Sequence, residues 1–317
     1  MKTQINTLSR FMKYQIVKDE KDRNKKEQNK FVEQPKWKLD EITLSTDVIE
    51  RIEELFAYIN NRDKFLYEWE YIRFLKLGTG VCVNFFGPPG TGKSITAEAT
   101  ADRLGMNIIK INYGDLESEY VGQTSKNISK IFETAEATKS LLFFDEADTI
   151  LSRRISNLSS AADYGINTTK STLLTLLDKF DGVAIFATNL LENYDPAFLR
   201  RMIFNIEFPL PNFEMRLKLW QFHLSKKLPI APDFSYERAA DLTNDLSGGD
   251  IKNVAIKLGF KLLSGKISAI DEAVFLTEIE KVREIKQKNM RSTDCNFQDS
   301  TEEDNSEIPE LDSTKVS

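Results

Sequence analysis

The 317-residue sequence holds only two cysteines, Cys82 and Cys295, and one histidine, His223. Two thiols are too few for a disulfide framework, and neither residue type recurs at zinc-ligand spacing. Long apolar runs are also missing. No stretch approaches the ~20 residues that cross a bilayer as a helix. The N-terminal MKTQINTLSRFMKYQIVKDE lacks an apolar core of signal-peptide length. An excess of positive charge is missing as well: 43 Lys and Arg stand against 49 Asp and Glu, a net charge of −6 with the pI about 5.2, against wholesale coating of nucleic acid, which needs a basic face. These absences lead us to expect a cytoplasmic chain with no membrane partner.

Residues 1–36 are polar, rich in Lys, Asn and Glu, and read as a flexible arm, the alternative being a docking arm for a partner. From Trp37 the pattern becomes globular. Val48, Ile52, Leu55, Phe56 and Ile59 recur at helical spacing after Asp47, an N-cap candidate with Glu50 three residues on. Short apolar runs follow at VCVNFF (81–86), NIIKI (107–111), LLFF (141–144) and VAIFAT (183–188), separated by helical patterns. Strands alternating with helices predict an α/β domain with a parallel sheet covered on both faces. After Pro-Leu-Pro at 209–211 only helical patterns remain: Leu217, Trp220, Leu224 and Leu228 share one face, and Ile251, Val254, Leu258 and Leu262 another. The expected organisation is thus a polar arm (1–36), an α/β domain (37–210), a helical lid (211–287) and a disordered acidic tail (288–317).

Two motifs carry chemistry on their own residues. Gly87-Pro88-Pro89-Gly90-Thr91-Gly92-Lys93-Ser94 fits G-x-x-x-x-G-K-[ST], follows a predicted strand and opens a predicted helix, with Ile95 next in that helix. Such a loop aims backbone N–H groups at phosphate oxygens beside a helix N-terminus. Gly90 and Gly92 allow close approach, Lys93 reaches the β- and γ-phosphates of ATP, and Ser94 holds Mg²⁺. The second motif, LLFF followed by Asp145 and Glu146, sets an acidic pair at the end of a buried strand. Asp145 would bind the Mg²⁺ shell and Glu146 polarise the attacking water. Asp148 reads as a helix-start residue only. The letters Asp145-Glu146-Ala147-Asp148 also spell a helicase family, but no Ser-Ala-Thr motif follows, nor a second lobe with a His-Arg-x-Gly-Arg box.

From about Trp37 to Lys288 the motif order resembles the AAA family of AAA+ ATPases, in particular the branch of katanin and spastin. It is also similar to bacterial AAA ATPases with an AFLRR segment, some of which accompany phage-tail-like contractile particles. The resemblance implies a P-loop NTPase three-layer parallel sheet with strand order 5-1-4-3-2, followed by a small helical lid. It makes Asn189 the sensor that meets the γ-phosphate or the attacking water. Arg200 and Arg201 become arginine fingers for the neighbouring subunit's ATP; relatives often have a spaced R-P-G-R, so the likeness does not say which arginine dominates. Gly248 and Gly249 resemble the start of the sensor 2 helix near the nucleotide, without that helix's arginine. His223 aligns with a lid-helix histidine, its alternative being a surface position. Tyr120, Val121 and Gly122 match the first pore loop, which grips a polypeptide; alone they read as a turn before a helix. Asp178-Lys179-Phe180 stands where relatives have Asp-Gly-Phe.

The resulting expectation is a homo-oligomeric ring, most often of six subunits. It would couple ATP hydrolysis to remodelling, unfolding or disassembly of a protein client. Two other classes compete with it: a loader acting on a nucleic-acid-bound complex, which would want a basic channel loop where this chain has Tyr120, and a nucleotide-controlled scaffold, at odds with the presence of both Lys93 and Glu146.

Overall fold

A computed structural model describes residues 31–74, 80–112, 124–153, 161–189 and 194–302. By contacts the chain divides into two units: residues 1–218 with Asn244–Gly249, and Leu219–Thr243 with 250–317. The sequence reading sets its boundary at residue 211; the division falls after Lys218 and returns the Asn244–Gly249 segment to the first unit.

The first unit is built on six strands: β1 (Val32–Glu33), β2 (Val81–Phe86), β3 (Ile108–Asn112), β4 (Leu141–Asp145), β5 (Val183–Thr188) and β6 (Met202–Glu207). They lie in the order β1-β3-β4-β5-β2-β6, every pair parallel except β1 against β3. Without β1 this is the expected 5-1-4-3-2 order. The central strands are buried on both faces, which is why they read as unbroken apolar runs. Period-2 alternation sorts their side chains. Leu142, Phe144, Ala184 and Phe186 face helices α3 (Thr124–Thr138) and α5 (Ala161–Leu177) through Ile128, Phe132, Leu173 and Leu177. Leu141, Phe143, Val183 and Ile185 face α1 (Thr46–Asn60) and α2 (Lys93–Arg103) through Val48, Ile52, Phe56 and Ala97. α1 is capped by Ser45, whose side chain accepts from Val48 N–H, two residues earlier than the Asp47 expected. Two four-residue helices, α4 (Asp148–Leu151) and α6 (Pro196–Leu199), complete the described part of the layers.

The polar arm of the sequence reading enters the described residues at Phe31 and there is not free. Val32 and Glu33 pair with Ile109 and Ile108. Lys36 N–H donates to Glu98 Oε2 at 3.1 Å, and Lys110 bridges Glu33 and Glu98 at 3.2 and 2.7 Å. The edge strand covers β3, whose open backbone groups would otherwise template unwanted pairing.

The second unit is helical, as expected. It holds the end of α7 (Phe213–His223), then α8 (Tyr236–Asp241), most of α9 (Gly248–Leu263) and α10 (Glu272–Glu302). Trp220 anchors it, fully buried, with its ring 4.8 Å from Phe275 and its Nε1–H donating to Thr243 Oγ1 at 3.0 Å. A disordered tail is expected from residue 288, but α10 continues to Glu302. No Gly or Pro falls between 272 and 302 to stop it. Among the described residues no helix is long and apolar enough to cross a membrane.

Phe144 and Phe186 stack at 4.6 Å and 7° in the middle of the sheet face under α3 and α5. Phe144→Ala should lower the unfolding free energy by ~3–5 kcal/mol, as emptied aromatic core positions do. Urea denaturation of the full chain reads this; a loss below ~1 kcal/mol would mean the core closes over the gap.

Candidate functional site

Parallel strands end together on one edge of a sheet, and residues leaving those ends converge there. β4, β5 and β2 are adjacent, and end at Asp145, Thr188 and Phe86. Both chemical motifs and the candidate sensor Asn189 leave from those three ends.

The loop after β2 needs its glycines. Gly87 has φ +133°, and a Cβ there would lie 2.3 Å from the Phe208 carbonyl oxygen. At Gly90 φ is +76°, and a Cβ would meet Ser247 Oγ at 2.6 Å. Both conditions exclude an L side chain. The Gly90 carbonyl accepts from Gly249 N–H at 2.9 Å. The start of α9, where the sequence singles out Gly248 and Gly249, therefore packs on the loop through Gly249. Pro88, Pro89 and Gly90 are exposed, Thr91 hydrogen-bonds back to Pro88 O at 2.9 Å, and Gly92 caps α2, which contains the half-buried Ile95.

Lys93 opens α2 and is buried. Its Nζ donates to Gly87 O at 2.7 Å, Pro88 O at 2.9 Å and Asn189 Oδ1 at 2.9 Å. Burial pushes the ammonium pKa down to about 8, against the opposing pull of the Asp145 and Asp148 charges. Ser94 Oγ donates to Asp145 Oδ2 at 2.9 Å, and Glu146 N–H donates to Asp145 Oδ1 at 3.0 Å. Glu146 is exposed, at φ +50°. A non-glycine residue holds such a conformation at a cost of ~1–3 kcal/mol, commonly where a side chain must be aimed. The structure thus brings Lys93, Ser94, Asp145, Glu146 and Asn189 into one connected group.

Sequence reasoning missed Asp148. Its carboxylate accepts from Thr188 Oγ1, and from Asn189 N–H at 3.2 Å, so it ties down the strand end that presents Asn189. An acid in the first turn of a helix is so ordinary that its sequence signal was hidden.

The two candidate fingers part company. Arg201 is engaged within its own chain, with Nε and Nη2 on Asp178 Oδ1 and Oδ2 at 2.6 and 2.7 Å, and Nη1 on Ala197 O at 2.7 Å. Arg200 is exposed, and its side chain has no hydrogen bond or ion pair among the described residues. Tyr120, Val121 and Gly122 lie outside the described residues. His223 sits half-buried at the end of α7 in the second unit; burial lowers its pKa from the ordinary imidazole value, with Lys252 adding to the effect.

A glycine loop before a helix, a buried ammonium, a hydroxyl–carboxylate pair, an exposed acid and a strand-end amide can hold a polyphosphate and direct water at it. Comparison with known proteins agrees. Residues 83–210 match the family described as "ATPase family associated with various cellular activities (AAA)", which implies nucleotide binding. The proteasome-activating nucleotidase of Archaeoglobus fulgidus is 33% identical over 207 residues, 63% of this chain and 52% of that protein. The 26S proteasome subunit RPT4 of Saccharomyces cerevisiae is 34% identical over 211 residues, 64% and 48%. The proteasome-activating nucleotidase of Methanosarcina mazei is 32% identical over 256 residues, 74% and 60%. The chain therefore carries an AAA ATPase domain, and spans about half the length of the curated relatives it matches. By name these three are proteasomal, not the katanin and spastin branch or the bacterial contractile-particle ATPases that the sequence reading expected.

The depressed Lys93 pKa has a kinetic consequence. Phosphate binding needs the cation, and the cation is lost as pH rises through the free-protein value. For ATP turnover, kcat/KM should therefore fall as pH rises through about 8. A profile flat up to the ordinary lysine range, about 10, would show that burial does not govern this ammonium.

Proposed function

With an AAA ATPase domain over residues 83–210 as the premise, we propose that the chain hydrolyses ATP and uses the cycle to remodel, unfold or disassemble a protein client in a ring of identical subunits. The observation that carries the enzymatic part is the convergence of Lys93 on Asn189 and of Ser94 on Asp145, each at 2.9 Å, from three adjacent strand ends.

In this reading the loop N–H groups and Lys93 hold the β- and γ-phosphates. Glu146 accepts a proton from water as the water oxygen bonds to the γ-phosphorus; the bond from that phosphorus to the bridging oxygen breaks, and ADP leaves. Asn189 orients the water or the γ-phosphate. Most of the gain is positioning and charge stabilisation. The Ser94 hydroxyl and Asp145 carboxylate, already paired, are hard oxygen donors that suit Mg²⁺. When bound there, Mg²⁺ neutralises phosphate charge.

Arg200 supports the ring. It stands exposed between Leu199, 41% exposed, and Ile203, 50% exposed. A cation flanked by open apolar side chains fits a surface that a second copy covers, and we assign Arg200 as the finger reaching that copy's γ-phosphate. A ring of six is what the family likeness implies.

A polypeptide is the favoured client on two grounds: two relatives are named for activating proteasomes, and the Tyr120-Val121-Gly122 segment is aromatic rather than basic. Motif order favours the katanin and spastin branch and the relatives' names a proteasomal one; either is a reading in which the client is protein. The loader reading has the net charge of −6 against it, and the scaffold reading has the assembled site.

Glu146→Gln tests the assignment. The amide keeps size and polarity, so ATP should still bind, while turnover falls by about 10²–10⁴ with the base gone. With ATP present, the same variant should retain a protein client that the wild-type chain releases. Turnover at the wild-type rate would remove Glu146 from the mechanism.

A further inference from the structure

Two adjacent arginines at 200 and 201 face opposite tasks. The Asp178–Arg201 pair is bidentate, with Arg201 19% and Asp178 32% exposed, and Arg201 spends its remaining nitrogen on Ala197 O. A fork-to-fork pair of this kind fixes direction as well as distance. Helix stability does not explain Asp178. The residue follows the last residue of α5, Leu177, where the helix's partial negative charge disfavours a carboxylate. A compensating cation belongs there, and Arg201 supplies it, its own pKa raised chiefly by the bond to Asp178.

The segment that bears Arg200 is tied at both ends. At its start, Tyr194 bridges to Ser152, and Asp195 N–H donates to Leu151 O at 2.8 Å. Asp195 also caps α6 through Ala197 N–H at 2.9 Å, and Phe198 is fully buried. At its finish stands the Arg201 pair. Between these anchors, Arg200 N–H donates to Pro196 O at 3.2 Å while its side chain projects without a partner among the described residues.

We infer that Asp178 and Arg201 form an in-subunit clamp that positions Arg200 for the neighbouring copy's nucleotide, and that Arg201 is not itself a finger. The inference rests on the reading of Arg200 as a finger acting in trans. Pulling Arg201 away toward a phosphate would leave the Asp178 carboxylate at a helix C-terminus with no cation. Holding it in place instead fixes the last turn of α6, and with it the direction in which Arg200 leaves the chain.

The test compares ATP turnover by full-length variants. Asp178→Asn should lower kcat about ten- to a hundredfold, the scale of a misplaced group, and leave KM for ATP within about twofold. Arg201→Lys should lose as much, because an ammonium cannot grip a carboxylate with two parallel bonds. Mixing Asp178→Asn with Glu146→Gln should restore turnover, since Asp178→Asn subunits keep an intact base and Glu146→Gln subunits an intact, clamped finger. A purely structural loss would not be rescued by mixing. Arg200→Ala separates the two ideas: full turnover in that variant sinks the finger reading itself. If Arg200→Ala abolishes turnover while Asp178→Asn is unaffected, or is lowered but not rescued by mixing, the clamp is overturned. Loss in Arg201→Ala with full rate in Asp178→Asn would make Arg201 a finger and also overturn it.

Discussion

A buried ammonium must be surrounded by oxygen, and Lys93 makes that demand on the whole nucleotide edge of the sheet. Its three acceptors come from two places: the Gly87 and Pro88 carbonyls and the Asn189 side chain. Turning the loop carbonyls inward requires the positive φ of Gly87, where any side chain would strike Phe208. Presenting Asn189 requires a fixed end to β5, and Asp148 supplies it by taking hydrogen bonds from Thr188 and Asn189. The arrangement holds because β4, β5 and β2 are neighbours and parallel. An antiparallel pairing would send one of the three ends to the opposite edge.

The same economy governs charge. Asp145 is turned by Ser94 and by the Glu146 N–H, which leaves the Glu146 side chain exposed on a left-handed residue. Of two neighbouring arginines, one is consumed in holding the chain and the other left open. In both pairs a residue that looks redundant in the sequence sets the direction of its neighbour.

Much of this was legible beforehand. The central strands announce themselves because both faces are buried and the sequence stays apolar; the phosphate loop does so because few other functions require glycine at that spacing before Lys-Ser. What escaped has physical reasons too. β6 alternates buried Met202 and Ile206 with open positions, so no apolar run marks it. β1 is two residues long and made by pairing with β3 rather than by its own composition. The continuation of α10 to Glu302 was hidden by polarity, although nothing there breaks a helix. Asp148 and the Asp178–Arg201 pair are contacts across 40 and 23 positions of sequence, and no local pattern carries them. The distinction between Arg200 and Arg201 depends wholly on such a contact.

The central claim is that this edge of the sheet is an ATP site organised by Lys93. Calorimetric titration of ATP into the Glu146→Gln chain, where the nucleotide is not consumed, addresses it without any assumption about client or ring. The account predicts saturable binding of about one nucleotide per chain. Adding Lys93→Ala should weaken it about ten- to a hundredfold, because hydrogen bonds to a charged group contribute ~1.5–3 kcal/mol. Equal affinity with and without Lys93 would contradict it.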